Sequence, residues 1–285
     1  MLSAVWVNGK RQSAAGLHLS ARDRGAMLAD GVFETMRAHA GRVFRLDRHM
    51  LRLHASLAAL EIPEPAELRE WLLASVPAGA DGDAAIRLTV TRGVGPPGVA
   101  PPADVEPTVI VAVNPFPAFP PALYEAGLAA HVASGRRNEH AMTAGLKTIA
   151  FTDSVAALLE ARRAGADEAI FLDTAGHCSE ATSSNLFVVA GGVLVTPPIS
   201  CAALPGITRG TVLELARAMG MGAAERAFGL DELMGAEEVF LTSSLRGIAP
   251  VARVDGRPIG SGAPGPVTRA ISAAYVALIE NECAT

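Results

Sequence analysis

Apolar and polar residues alternate with a period of two over Gly31-Val32-Phe33-Glu34-Thr35-Met36-Arg37, which predicts a strand with one buried face. Ala40-Gly41 turns it into Val43-Phe44-Arg45. The period then changes. Met50, Leu53, Leu57 and Leu60 fall on one helical face behind Asp47, the expected N-cap, while Arg48 and Arg52 lie on another. The pattern also predicts a hairpin at Val5 to Gly9, a polar turn at Arg22-Asp23-Arg24-Gly25, a helix from Pro65 to Val76, and strands from Ala85 to Thr91 and Thr108 to Val113. This first part reads as α+β.

Asn114 to Pro121 holds four prolines in eight residues. Proline removes donors and fixes φ, so this is a stiff extended connector rather than a helix or central strand. The expected division is therefore a domain over 1–113, a linker over 114–121 and a second domain over 122–285. Beyond the linker, a strand is expected at Leu128 to Ala133. A helix capped by Asp153 follows, with Val155, Leu158 and Leu159 as its apolar positions and Gly165 as its stop. Strands are expected at Ala169 to Leu172, Asn185 to Val189, Val193 to Val195, Glu238 to Leu241 and Ile248 to Val254. Gly191-Gly192 and Asp255-Gly256 read as hairpin turns. Helices are expected at Gly210 to Met219 and Pro266 to Glu280.

Composition narrows the function. The net charge of −5 is dispersed, which argues against a nucleic-acid footprint. No apolar run is long enough to span a bilayer, and Met1 to Trp6 lacks the basic and apolar regions of a signal peptide. Cys178, Cys201 and Cys283 are odd in number and lack metal-ligand spacing, so neither a disulfide framework nor a metal is expected and a cytoplasmic setting is the default.

Of 24 Lys and Arg residues only Lys10 and Lys147 are lysine. Lys10 follows an Asn-Gly turn. Lys147 lies among apolar neighbours in Gly145-Leu146-Lys147-Thr148-Ile149-Ala150-Phe151. Arginine stays charged in a protein, whereas a desolvated lysine can become a neutral amine and attack a carbonyl. Such an amine suits a phosphorylated aldehyde cofactor, and pyridoxal phosphate fits. That cofactor requires a phosphate cup and a carboxylate at its pyridine nitrogen. Gly206-Ile207-Thr208, before a helix, is a cup candidate, and Thr242-Ser243-Ser244 is a second. Glu180, in a loop of small residues, is the carboxylate candidate. Gly93-Val94-Gly95-Pro96-Pro97-Gly98 matches the spacing of a dinucleotide fingerprint, but its prolines oppose the helix that motif needs. Nucleophile-elbow, zincin and P-loop motifs are absent.

Together these segments resemble the fold-type IV pyridoxal-phosphate enzymes, the class IV aminotransferases. The family includes branched-chain and D-amino acid aminotransferases, R-selective amine transaminases and 4-amino-4-deoxychorismate lyase. The match runs from Asp23-Arg24-Gly25 and Asp30 to Thr35, through Arg45 to Leu53, Leu146-Lys147, Glu180 to Phe187 and Leu204 to Arg209, to Glu238 through Ser244. The resemblance implies a small N-terminal α/β domain, a larger C-terminal pseudobarrel domain and a homodimer. It implies that Lys147 is the Schiff-base lysine and proton shuttle, Glu180 the pyridine partner and Arg52 a phosphate ligand. Ile207, Thr208, Ser243 and Ser244 would complete the phosphate site, and Ser184, Asn185 and Leu204 would line the cofactor pocket. Thr35 matches a catalytic threonine of the lyase.

The resemblance favours transfer of an amino group from an amino acid or amine to a 2-oxo acid. The alternative is the lyase, releasing pyruvate and 4-aminobenzoate. Pro97 and Val99 replace the Arg-x-His carboxylate trap of the D-amino acid enzymes. Arg87 and Arg92 remain as candidate carboxylate binders.

Overall fold

A computed structural model describes residues 4–13, 19–78 and 82–284. The chain forms two compact units. The first comprises Met1–Pro117, Leu146–Ala150 and Ile279–Thr285, and the second Ala118–Gly145 and Phe151–Leu278. Two pieces of the region 122–285 thus belong with the first unit, and long-range bonds explain why. Phe33 N donates to Lys147 O (3.0 Å) and Ile149 N to Gly31 O (3.1 Å). Near the C-terminus, Arg45 Nη2 lies 2.8 Å from Glu282 Oε1.

The first unit contains β1 (Ala4–Val7), β2 (Lys10–Gln12), α1 (Arg24–Leu28), β3 (Gly31–His39), β4 (Arg42–Val43), α2 (Leu46–Ala59), α3 (Leu68–Ser75), β5 (Ala84–Thr91) and β6 (Thr108–Pro115). Its antiparallel sheet runs β2-β1-β6-β5-β3-β4. Alternation along β3 sends Val32 and Met36 into a core shared with Ile86, Leu88, Met50 and Leu53. Asp23-Arg24-Gly25, read as a turn, instead opens α1: Asp23 is its N-cap and accepts a bond from Gly25 N at 2.8 Å. Asp47 does not cap α2. The cap is Arg45, at φ 54°, because the chain leaves β4 through a left-handed residue; Asp47 falls in the first turn.

The second unit contains α4 (Pro121–Ala126), β7 (Leu128–Arg137), α5 (Thr152–Arg163), β8 (Glu168–Asp173), β9 (Cys178–Ala181), β10 (Asn185–Ala190), β11 (Val193–Thr196), α6 (Ile207–Ala218), β12 (Ala223–Glu225), α7 (Leu230–Met234), β13 (Glu238–Ser243), β14 (Gly247–Val254) and β15 (Arg257–Pro258); α8 (Pro266–Ala284) begins in it. Its sheet runs β12-β11-β10-β13-β14-β7-β8-β9, and β9 pairs back onto β10, closing a barrel-like ring. The closing pair is Glu180 with Asn185.

Helix α5 overturns the expected apolar face. Ser154, Ala157 and Ala161 are buried, whereas Val155 and Leu159 are 56% and 45% exposed. Small residues let the helix approach β7 and β8 closely, where Ala133, Ala169 and Phe171 complete the packing. Its N-cap is Phe151 rather than Asp153. Helix α6 starts at Ile207, three residues before the expected Gly210.

Candidate active site

In the first unit, the ladder to Gly31 and Phe33 fixes the backbone of Lys147. Its side chain lies over the Phe33 ring, with Nζ 4.4 Å from the centroid. Arg87 stacks on the same ring, its Cζ at 3.8 Å. Thr35 is the cross-strand neighbour of Arg87 and, two residues from Phe33, shares its strand face. This sheet also borders a cavity of about 330 Å³ lined by Arg87, Thr89, Thr91, Ile110, Ala112 and Ile149 among others.

The opposite phase of β3 carries Glu34 into the interior. Arg52 grips its carboxylate through Nε (2.8 Å) and Nη2 (2.7 Å), and His49 Nδ1 lies 2.7 Å from Oε2. Burial by itself raises the pKa of Glu34, but the bonds from Arg52 and His49 outweigh it and bring the pKa down to about 2. Burial depresses the His49 pKa, with the Glu34 bond opposing the change. Arg52 thus sits in a fixed orientation on a buried carboxylate.

Arg92 has a different placement from the one expected. Its Nε donates to Asp30 Oδ2 (2.8 Å), Nη1 to Glu61 O (2.8 Å) and Nη2 to Leu60 O (2.7 Å). Arg24 donates to the same Asp30 oxygen and to the carbonyls of Gly98, Val99 and Ala100. Arg92 is therefore a structural cation joining loops, and Arg24 clamps the proline loop.

The second unit holds eight of the expected cofactor residues. Glu180 Oε2 accepts bonds from Leu204 N (2.9 Å) and Asn185 Nδ2 (3.2 Å), and Asn185 Nδ2 also donates to Leu204 O (2.8 Å). Two residues on, Gly206 caps α6 without any side-chain bond. A Cβ at Gly206 would lie 1.9 Å from Asn185 Oδ1, so only glycine allows this approach. The first-turn amides of Ile207 and Thr208 have no intrahelical acceptors. Thr208 is buried. Ser184 is buried in the β9–β10 turn, where its carbonyl accepts from Ala181 N at 2.7 Å. The Ser243 hydroxyl accepts from Arg246 N at 3.2 Å, and Ser244 lies in the same turn, half-buried. Thr242, cross-strand from Asn185, has a buried hydroxyl with no hydrogen-bond partner among the described residues.

These features fit a phosphorylated pyridine. An uncapped helix start with a glycine-only approach and an orphan hydroxyl suits an anion, and a carboxylate oriented by an amide and a backbone N–H suits a protonated ring nitrogen. Glu34 and His49 were missed by the sequence reading. Their signal was present, since a Glu in the apolar phase of a strand demands a buried partner. Arg137 was also missed. Its Nη2 lies 3.6 Å from Glu180 Oε1, and it stacks on Phe171.

The profile of the family described as Amino-transferase class IV matches residues 31–254, and the chain belongs to that family. D-alanine aminotransferase of Bacillus licheniformis is 34% identical over 98% of this chain and 98% of that protein. The branched-chain amino acid aminotransferase of Escherichia coli superposes with a TM-score of 0.93 at 33% identity, covering 98% of this chain and 95% of that one. The 4-amino-4-deoxychorismate lyase of Pseudomonas aeruginosa has a TM-score of 0.84 at 35% identity, covering 98% of both chains. A second branched-chain amino acid aminotransferase, from T.th., carries pyridoxamine 5'-phosphate; it has a TM-score of 0.90 at 28% identity, covering 98% of this chain and 94% of that one. The fold is thus fold type IV and the cofactor pyridoxal 5'-phosphate. The enzyme is a member of the class IV aminotransferase family. Among the described residues, no helix is long and apolar enough to cross a membrane.

Proposed function

We propose that Lys147 is the lysine that carries the cofactor and moves the proton at the substrate's α-carbon during amino transfer. When bound, pyridoxal 5'-phosphate supplies the electron sink for that chemistry. Glu180 holds a proton at the pyridine nitrogen, while Asn185 and the Leu204 amide aim its carboxylate. The Ile207 and Thr208 amides, the Thr208, Ser243 and Ser244 side chains and Arg52 bind the phosphate. Ser184 lines the pocket. Thr35 and Arg87 face the substrate from the sheet that also positions Lys147. A homodimer is the working assembly. The three free thiols fit a cytoplasmic setting.

One observation favours amino transfer over the lyase reaction. Aminodeoxychorismate carries two carboxylates, yet Arg24 and Arg92, beside the proline loop, are both bound to Asp30 and backbone carbonyls. Arg87 alone of the expected pair remains to meet a carboxylate. This suits a monocarboxylate or an apolar amine better than a dianion. The lyase reading retains support from the 35% identity to the Pseudomonas enzyme. The test is two assays on one preparation. Amino transfer to pyruvate or 2-oxoglutarate should exceed release of 4-aminobenzoate from aminodeoxychorismate, and the reverse order would assign the lyase.

A further inference from the structure

Three residues in the second unit that take no part in the proposed cofactor site converge on one point. Asp173 ends β8, His177 follows it through a tight turn, and Cys201 ends a single 3-10 turn, Ile199–Cys201. A carboxylate oxygen, an imidazole nitrogen and the thiol sulfur all lie within 4.8 Å of one another. We propose that Asp173, His177 and Cys201 form a site for zinc or a chemically similar divalent cation, clamping the turn after β8 to the segment that leads into α6.

The local backbone preorganises two of the ligands. Asp173 N donates to His177 O (2.7 Å) and Gly176 N to Asp173 O (3.2 Å), with Gly176 at φ 88°. The His177 amide donates to Asp173 Oδ1 at 2.7 Å, which orients the carboxylate and leaves Oδ2 facing His177 Nδ1 at 3.1 Å. Bonds of about 2.0–2.3 Å from zinc to O, N and S place tetrahedral ligands roughly 3.3–3.8 Å apart. The Asp173–His177 pair is already near that spacing. With the thiol within 4.8 Å of both, closing it onto the pair takes a side-chain movement of at most about 1.5 Å.

Accessibility fits as well. The Asp173 side chain is 3% exposed and Cys201 is 3% exposed, whereas the His177 side chain is 44% exposed. His177 is therefore the ligand that solvent reaches, and it marks both the entry path and the open fourth position for water. On binding, the thiol proton leaves to solvent and the thiolate joins the metal. Thiolate with imidazole selects zinc-type ions over magnesium or calcium. The segment after Cys201 includes Leu204, whose amide holds Glu180, so a bound metal would stiffen the support of that carboxylate.

The test uses tag-free holoenzyme, stripped with a chelator and dialysed against zinc, with metal content measured per chain. Cobalt in place of zinc should give tetrahedral ligand-field bands at wavelengths longer than the cofactor absorbs. The expected result is one metal per chain and a rise in Tm. Cys201→Ser and His177→Gln should each weaken binding by more than the roughly 10–100-fold that outer-shell changes cost. His54→Gln, at a surface histidine paired with Glu64, should leave it unchanged. If Cys201→Ser fails to fold, His177→Gln decides, because that side chain is partly exposed. Wild-type enzyme that takes up no zinc at micromolar free metal, or His177→Gln that binds as tightly as wild type, would overturn the site.

Discussion

Glu34 in the first unit and Glu180 in the second are both strand carboxylates held by several donors, yet their donors differ in kind. Glu34 is completely buried and meets an arginine twice and a histidine once. Its charge is neutralised inside the protein, and a ligand could add little. Glu180, with 14% of its side chain exposed, is oriented by a neutral amide and a backbone N–H. Arg137 pairs with it at a longer 3.6 Å, and is itself bonded to Ser154 and stacked on Phe171. A carboxylate oriented by a neutral amide and a backbone N–H, with its arginine at longer range, keeps more attraction for an added cation than one gripped at 2.7–2.8 Å. The difference separates an anchor from a candidate functional group, although both are glutamates within ladder-paired strands.

The comparison can be broken or sharpened by substitution. Lys147→Ala, the reference for complete loss, should reduce amino transfer by about 10⁴-fold or more, since it removes the group proposed to act on the reacting atoms. Borohydride reduction of the wild type followed by peptide mapping should place the cofactor adduct on Lys147 and not Lys10. Glu180→Gln should retain cofactor but slow turnover by roughly 10²–10³-fold, the scale of losing one preorganised electrostatic group. Unchanged turnover would reduce Glu180 to a second anchor.

Glu34→Gln should act chiefly on stability. Breaking a buried ion pair costs about 3–5 kcal/mol, read as a drop in Tm or in the denaturant midpoint. Its pKa, lowered from 4.5 to about 2, sets the sign with pH. The stabilisation is complete above about 4.5 and is lost as pH falls toward 2, on the order of 3 kcal/mol in all. The variant should lose this acid limb, and an identical pH profile would remove Glu34 from the network. The smallest effect separates two arginines. Arg52→Ala and Arg92→Ala each deprive a carboxylate of a partner and should both lower Tm. Only Arg52→Ala should weaken cofactor retention, by about tenfold or more, from loss of a charge-assisted contact of about 1.5–3 kcal/mol. Equal retention in both variants after dialysis would remove Arg52 from the phosphate site.

Local periodicity carried most of the element types. The alternation of Gly31 to Arg37 became β3, and the helical spacing of Met50, Leu53 and Leu57 became the buried face of α2. Residue type also singled out Lys147, Glu180 and the glycine before α6, because a lysine in an arginine-rich chain and a glycine at a helix start each answer a local chemical need. Boundaries and caps were less legible. Arg45 rather than Asp47 caps α2, and alanines rather than Val155 and Leu159 face inward on α5. Both outcomes depend on what each helix packs against. The partners of the arginines were illegible. Arg52 meets a glutamate 18 residues away, and Arg92 meets an aspartate 62 residues away. A guanidinium's five donors suit any carboxylate or carbonyl within reach, so its sequence neighbours do not specify its role. Only the tertiary pairing of strands and loops brings one acceptor within 3 Å rather than another, and that pairing set the partner of each arginine.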